Sequence, residues 1–278
     1  MESQVMVQPA RAETAQPSIL LRETVGNIGV LTLNRPAARN SLSEGLIGEL
    51  HAALDDIAQD NAVRAVVIAA NGSVFSAGHD LKELTARRAD ADRGRAYFAH
   101  MMAICSSMMQ AVVRLPKPVI AAVQGVATAA GCQLVASCDL AIASDHATFA
   151  TPGVDIGLFC STPMVALSRN VTRKQAMEML LTGEPISAER AREIGLVNRV
   201  VSADTERDAA IALAQQVARK SAHTVRIGKE AFYRQAEMNL ADAYRFAAEV
   251  MTENMMARDA EEGIGAFIAK REPKWEDR

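Results

Sequence analysis

Two stretches of the chain place an amide-rich loop between a buried-strand pattern and a helix start: Phe75-Ser76-Ala77-Gly78-His79-Asp80 and Gly125-Val126-Ala127-Thr128-Ala129-Ala130-Gly131-Cys132. Gly and Ala leave backbone N–H groups uncovered. The amides of a first helical turn point outward with the positive end of the dipole behind them, so an anionic oxygen can dock there. Two such donors converging on one point make an oxyanion hole. The same composition also serves a tight turn or a close helix contact, and spacing alone leaves both readings open. His79 adds an imidazole that titrates near neutral pH. Asp80 beside it either orients that ring or caps the turn into Leu81 to Leu84.

The elements around these loops read as alternating strands and helices. Ile19 to Val25 and Gly29 to Asn34, separated by Gly26-Asn27, predict a hairpin that Asn34-Arg35-Pro36 closes. Ser43 caps an amphipathic helix in which Leu46, Ile47, Leu50, Leu54 and Ile57 share a face, with Glu44 in its first turn. Arg64 to Ala70, Pro118 to Gln124 and Asp139 to Ser144 are short apolar runs of the kind buried on both faces of a parallel sheet. Between the first two lies one long helical stretch, Ala86 to Arg114. Helix followed by buried strand predicts βαβ crossovers and hence an α/β fold. Beyond Met164 the pattern is almost wholly helical, apart from Leu196 to Val201. The expected organisation is a disordered polar tail over 1–17, an α/β domain over 18–210 and a helical C-terminal region over 211–278.

Thirty Lys plus Arg against 33 Asp plus Glu in 278 residues leave a net charge of −3, with no basic block that would mark a nucleic-acid binder or a polybasic membrane anchor. A chain of this length can bury roughly three quarters of its unfolded surface without staples. The cysteines, Cys105, Cys132, Cys138 and Cys160, form no CxxC and have no His at ligand spacing, so no metal site or disulfide framework is indicated. They suggest a reducing, cytoplasmic setting. The uncharged run from Pro118 to Cys138 contains Gln124, Gly125, Gly131 and Gln133 and reads as buried core with a turn inside, not as a membrane span. The N-terminal segment has no apolar core of a secretory signal and too few arginines for a transit peptide. Neither a GxGxxG nor a Walker sequence is present, so no nucleotide or redox cofactor is expected.

Further blocks extend the pattern. FSAGHDLKEL at 75–84, PKPVIAAVQGVATAAGCQLVASCDLAIAS at 116–144, ATFATPGVDIGL at 147–158, LLTGEPISAERAREIGLVNRVV at 180–201 and FIAKREPKW at 267–275 together resemble the crotonase superfamily of enoyl-CoA hydratases and isomerases, over roughly residues 18–278. The resemblance implies a spiral of ββα turns with a helical C-terminal trimerisation region, assembled as a homotrimer or as a hexamer built from two trimers. It implies an acyl-CoA thioester as substrate, with coenzyme A present only as part of that substrate. The thioester carbonyl would lie between the amides of His79 and Ala130, where negative charge accumulates as an enolate forms. CoA contacts would map to the Asn34–Arg39 loop, including Arg35, to Ala77 and Lys82, and to Phe267 and Lys270 of a neighbouring subunit. Lys82 equally reads as a solvated lysine beside Glu83.

The pattern breaks at its acid–base residues. Hydratases of the superfamily use two glutamates that hold one water; this chain has Gln133 at the first position and Gly153 at the second. A Gln amide orients water but has no proton equilibrium near neutrality, and a well-placed acid or base is worth about 10²- to 10⁴-fold. Asp155, two residues past Gly153, is a substitute carboxylate or a loop aspartate. Cys160 and Ser161 lie near where some superfamily members carry an acid; Ser161 also reads as the cap of a helix starting at Pro163. Three expectations follow: a weak or atypical hydratase or isomerase, an acyl-CoA decarboxylase that uses the same oxyanion hole, or a non-catalytic acyl-CoA binder.

Overall fold

The computed structural model describes residues 18–278; the tail expected over 1–17 lies outside them. Among the described residues, ten strands form two sheets: β1 (Leu20–Val25), β2 (Ile28–Leu33), β3 (Ala65–Ala70), β4 (Val74–Ser76), β5 (Val119–Val123), β6 (Val126–Thr128), β7 (Leu140–Ser144), β8 (Thr148–Ala150), β9 (Ile186–Ser187) and β10 (Arg199–Val201). The larger sheet has the order β1-β2-β3-β5-β7-β10 and the smaller β4-β6-β8-β9. The β1–β2 hairpin is antiparallel; β2, β3, β5, β7 and β10 run parallel.

The helices are α1 (Glu44–Gln59), α2 (Leu81–Ala86), α3 (Arg95–Arg114), α4 (Ala130–Ser137), α5 (Pro163–Asn170), α6 (Arg173–Thr182), α7 (Ala188–Glu193), α8 (Glu206–Ala218), α9 (Ala222–Gln235), α10 (Leu240–Met256) and α11 (Arg258–Ile268). One unit recurs. A long parallel strand crosses the large sheet, a tight connection starts a three-residue strand in the small sheet, and a helix returns the chain: β3-β4-α2-α3, then β5-β6-α4, then β7-β8 and α5-α6. This is the ββα spiral expected above. Because β4, β6 and β8 are three residues each, they carry no readable period, and the small sheet was invisible in the sequence.

The central strands of the large sheet, β2, β3, β5 and β7, are buried on both faces, as the apolar runs predict, whereas the edge strands β1 and β10 are more exposed. In β3, Val66 and Ile68 join a core with α1, α3 and α4, whereas Ala65, Val67 and Ala69 face Ala210, Leu213, Ala214 and Ala218 of α8. The α/β unit therefore extends through α8, and the boundary expected at 210 falls inside that helix, because its alanine stripe is what seals the sheet. The helix expected over 86–114 is in two pieces. Gly94, at φ +85°, turns the chain before α3, and a Cβ there would stand 2.8 Å from the Phe98 ring and 2.9 Å from the Arg87 carbonyl oxygen. Although α3 has the length and hydropathy of a membrane span, it buries Met101, Cys105, Met108, Met109 and Val112 in the core.

Candidate functional site

Glycines lock the two amide-rich loops together. Gly78 has φ +84°, and a Cβ there would lie 2.9 Å from the Ala129 Cβ, 3.1 Å from the Thr128 carbonyl oxygen and 3.2 Å from the Ala130 nitrogen. A Cβ at Gly131 would overlap the Ser76 carbonyl. The β4 end and the β6–α4 turn thus pack backbone to backbone, which brings His79 and Ala130 onto adjoining segments.

A third segment fixes the direction of the His79 amide. Leu42 pairs with His79 as an isolated parallel bridge: the Leu42 N–H donates to the Gly78 carbonyl at 2.7 Å and the Asp80 N–H to the Leu42 carbonyl at 3.2 Å. In such a ladder the residue between the two bonded ones turns its own N–H to the other side. Ala130 opens α4, where an amide has no intrahelical acceptor. Neither amide finds an acceptor among the described residues. The turn that aims the Ala130 amide is strained. Ala129 sits at φ +50°, ψ −117°, a conformation that costs a non-glycine residue about 1–3 kcal/mol and persists only where its surroundings impose it. Here the Ala129 N–H donates to the Ala150 carbonyl at 2.9 Å, and the Ala129 carbonyl accepts from the Gln133 N–H at 3.0 Å. Nothing in the sequence signalled Ala129, since alanine is no marker of positive φ.

Gln133 and Thr151, both buried, put uncharged polar groups beside the β6–α4 turn. Gln133, in the first turn of α4, is 5% exposed, and its Oε1 has no partner among the described residues; the same holds for the Oγ1 of fully buried Thr151 and the Nε2 of His79. Burial lowers the His79 pKa, which favours the neutral imidazole. Where a side chain at Gly153 would begin, a Cβ would meet the Leu158 carbonyl oxygen at 2.8 Å and the Cys160 sulfur at 2.9 Å. Burial pushes the Cys160 thiol up and the Cys132 thiol up to about 12, so both are thiols at neutral pH. Asp155 is exposed, its carboxylate beside Gly183 at the end of α6. Ser161 does not cap α5: Thr162 holds that position, and the Ser161 hydroxyl donates to the Phe159 carbonyl.

Of the residues tied to CoA in the sequence, Arg35 is engaged inside the chain. Its Nη2 lies 3.1 Å from Asp80 and its Nη1 2.6 Å from the Ser41 carbonyl oxygen. Asp80 also caps α2, accepting from the Lys82 N–H at 3.1 Å. Burial alone would raise the Asp80 pKa, but hydrogen bonds from Arg35 and Ser41 outweigh it and hold the carboxyl below its ordinary range. Ala77 donates its N–H to the Arg39 carbonyl at 3.0 Å. Lys82 is exposed, as are Phe267 and Lys270 at the end of α11.

The chain is similar to known proteins over most of its length. A profile of the enoyl-CoA hydratase/isomerase family matches residues 23–278. The chain belongs to this family. Among enoyl-CoA hydratase/isomerase relatives it is 48% identical to enoyl-CoA hydratase domain-containing protein 3, mitochondrial, of Xenopus laevis, over 93% of this chain and 86% of that protein. The protein of the same name from Rattus norvegicus is 44% identical over 96% of this chain and 87% of its own length. The crystal structure of human enoyl Coenzyme A hydratase domain-containing protein 3 superposes with a TM-score of 0.88 at 45% identity, over 93% of this chain and 100% of that one. The crotonase fold is thereby established. The cytoplasmic setting is corrected: the vertebrate relatives are named mitochondrial. The cysteine pattern alone does not choose among compartments that keep thiols reduced.

Proposed function

We propose that the protein binds an acyl-CoA thioester and holds its carbonyl oxygen between the amides of His79 and Ala130, stabilising the enolate that forms when the adjacent carbon gives up a proton, a carboxylate or its place in a double bond. The observation that carries this reading is the pair of acceptor-less amides on loops locked together at Gly78. Such donors are worth about 10²- to 10³-fold each when aimed at developing charge. No cofactor is needed beyond the CoA carried by the substrate. Lys82 supplies an exposed cation near the loop for its phosphates.

Hydration of an enoyl-CoA would be weak, because Gln133 can place a water but not take its proton, and Gly153 brings no carboxylate. Asp155 faces solvent and offers no replacement in this arrangement. The same lack of a base favours a second reading: a malonyl-type thioester releases carbon dioxide without a base, the electron pair of the broken C–C bond passing to the thioester oxygen held in the hole and solvent water then protonating the carbon. The assembly proposed is a homotrimer or hexamer, in which Phe267 and Lys270 of one subunit complete the CoA site of the next.

The test is to mix purified protein separately with crotonyl-CoA and methylmalonyl-CoA, following enoyl absorbance and released carbon dioxide, with acyl-CoA affinity measured by calorimetry. Slow hydration or decarboxylation with firm binding supports the reading. Hydration at ordinary enzyme rates would overturn the role given to Gln133 and Gly153, and absence of acyl-CoA binding would overturn the whole proposal.

A further inference from the structure

The segment that fixes the His79 amide is itself clamped by charge. Asn34 to Leu42 crosses behind the 76–80 loop, with Arg39 and Asn40 both left-handed at φ +52° and +49°. Fully buried Asn40 ties this segment to β4: its Nδ2 donates to the Asn71 carbonyl at 2.8 Å and to the Val74 carbonyl at 2.7 Å. At the other end the Arg35 guanidinium reaches Asp80 at 3.1 Å and the Ser41 carbonyl at 2.6 Å, while the Ser41 hydroxyl donates to the same Asp80 oxygen at 3.1 Å. The pair is mostly shielded, with side-chain exposures of 21% for Arg35 and 12% for Asp80. Asp80 directly follows the residue whose amide matters, and Ser41 directly precedes Leu42, which pairs with it. The cluster therefore grips both sides of the peptide carrying the His79 N–H.

We propose that Arg35, Ser41 and Asp80 form a positioning device for the His79 amide, with Arg35 acting on the thioester carbonyl through Asp80 and the backbone and not as a contact to CoA. This rests on the placement of the carbonyl proposed above. A guanidinium whose Nη1 and Nη2 are already committed to a carbonyl and a carboxylate inside the chain has fewer donors left for a phosphate, and a donor displaced by about an ångström loses much of its effect on developing charge.

The test uses butyryl-CoA labelled with carbon-13 at the thioester carbonyl, bound to the full chain. The carbonyl stretch in difference infrared spectra reads polarisation by the amides, and exchange of the adjacent hydrogens with deuterium at saturating ligand, with a small buffer base added to take the proton, reads enolate formation. Arg35→Ala and Asp80→Asn are each expected to lose most of the red shift and to slow exchange roughly tenfold, while affinity for free CoA stays near the unmodified value. The double variant should be no worse than either single, since both break one cluster. Arg35→Lys, which cannot fork, should not restore the shift. A red shift kept in both single variants, or a loss of free-CoA affinity confined to Arg35→Ala, would overturn the clamp and leave the carbonyl assignment standing. No red shift in the unmodified protein would overturn that assignment and the clamp with it. Circular dichroism and thermal unfolding identify any variant that fails to fold, and Ser41→Ala, which removes the hydroxyl held between Arg35 and Asp80 but leaves the direct ion pair, then carries the test with a smaller loss of shift.

Discussion

A Cβ at Gly153 would stand 2.8 Å from the Leu158 carbonyl oxygen and 2.9 Å from the Cys160 sulfur, so the second missing carboxylate cannot be returned by substitution there alone. Gly153→Glu is expected to destabilise the fold by about 1–3 kcal/mol, as overpacking does, read as a lower urea midpoint at unchanged slope. Cys160→Ala in the same background should recover only part, because the Leu158 contact is backbone. Gln133→Glu is different: the side chains are nearly isosteric, and the site already holds an unpartnered oxygen. This variant is expected to gain about 10²-fold in crotonyl-CoA hydration. Its rate should rise with pH through a carboxyl pKa raised by burial. An unchanged rate would count against the first glutamate as the limiting omission.

Helix α9 is moored to the large sheet by a buried charge cluster. Lys229 donates to Asp139 at 2.7 Å and to the carbonyls of Lys117 at 3.0 Å and Val112 at 3.2 Å; Asp139 also accepts from the Tyr233 hydroxyl at 2.8 Å and the Val119 N–H at 2.7 Å. The side chains of Lys229 and Asp139 are 8% and 16% exposed. Removing Asp139 strands a buried ammonium, and Asp139→Ala is expected to cost about 3–5 kcal/mol. Burial lowers the Lys229 pKa, opposed mainly by Asp139, so in this variant the folded-state pKa falls further. Between that value and the unfolded one near 10.4, the unfolded chain binds more protons, and stability therefore rises with pH. The deficit of Asp139→Ala should shrink between pH 7 and pH 10 in denaturant titrations; a constant deficit would mean that lost packing, not stranded charge, sets it.

At the scale of the molecule, α10 buries no residue within the chain. Leu240, Tyr244, Met251 and Met255 recur on one stripe of it, all at least half exposed, and Phe232, Phe267 and Ile268 add to the apolar surface of the C-terminal helices. An exposed apolar stripe of this kind is what contact with another subunit would cover. The helices carrying it are held to the body: the Arg64 guanidinium meets Asp277 at 2.5 Å, and the Trp275 indole N–H donates to the Arg219 carbonyl at 2.9 Å. Sedimentation is expected to show a trimer or hexamer, and Tyr244→Asp with Met251→Glu to shift it toward monomer. Acyl-CoA affinity should fall in the same variant if Phe267 and Lys270 complete a neighbour's site; monomers that bind CoA undiminished would remove those two residues from the site.

The sequence by itself determined the long strands and the family, because apolar runs such as Arg64 to Ala70 and the ordered blocks from Phe75 to Trp275 are local signals that survive without coordinates. It also exposed the absent carboxylates at Gln133 and Gly153, since residue identity is all that statement needs. Tertiary structure alone decided the rest. The small sheet consists of strands too short for a period, and α8 belongs to the α/β unit because of what its alanines cover. Ala129 is held in its strained conformation by Ala150 and Gln133. Arg35, which resembled a CoA contact in the chain, is turned inward by Asp80, 45 residues away. Pairings at that separation are set by the packing of the two loops, and no local pattern encodes them.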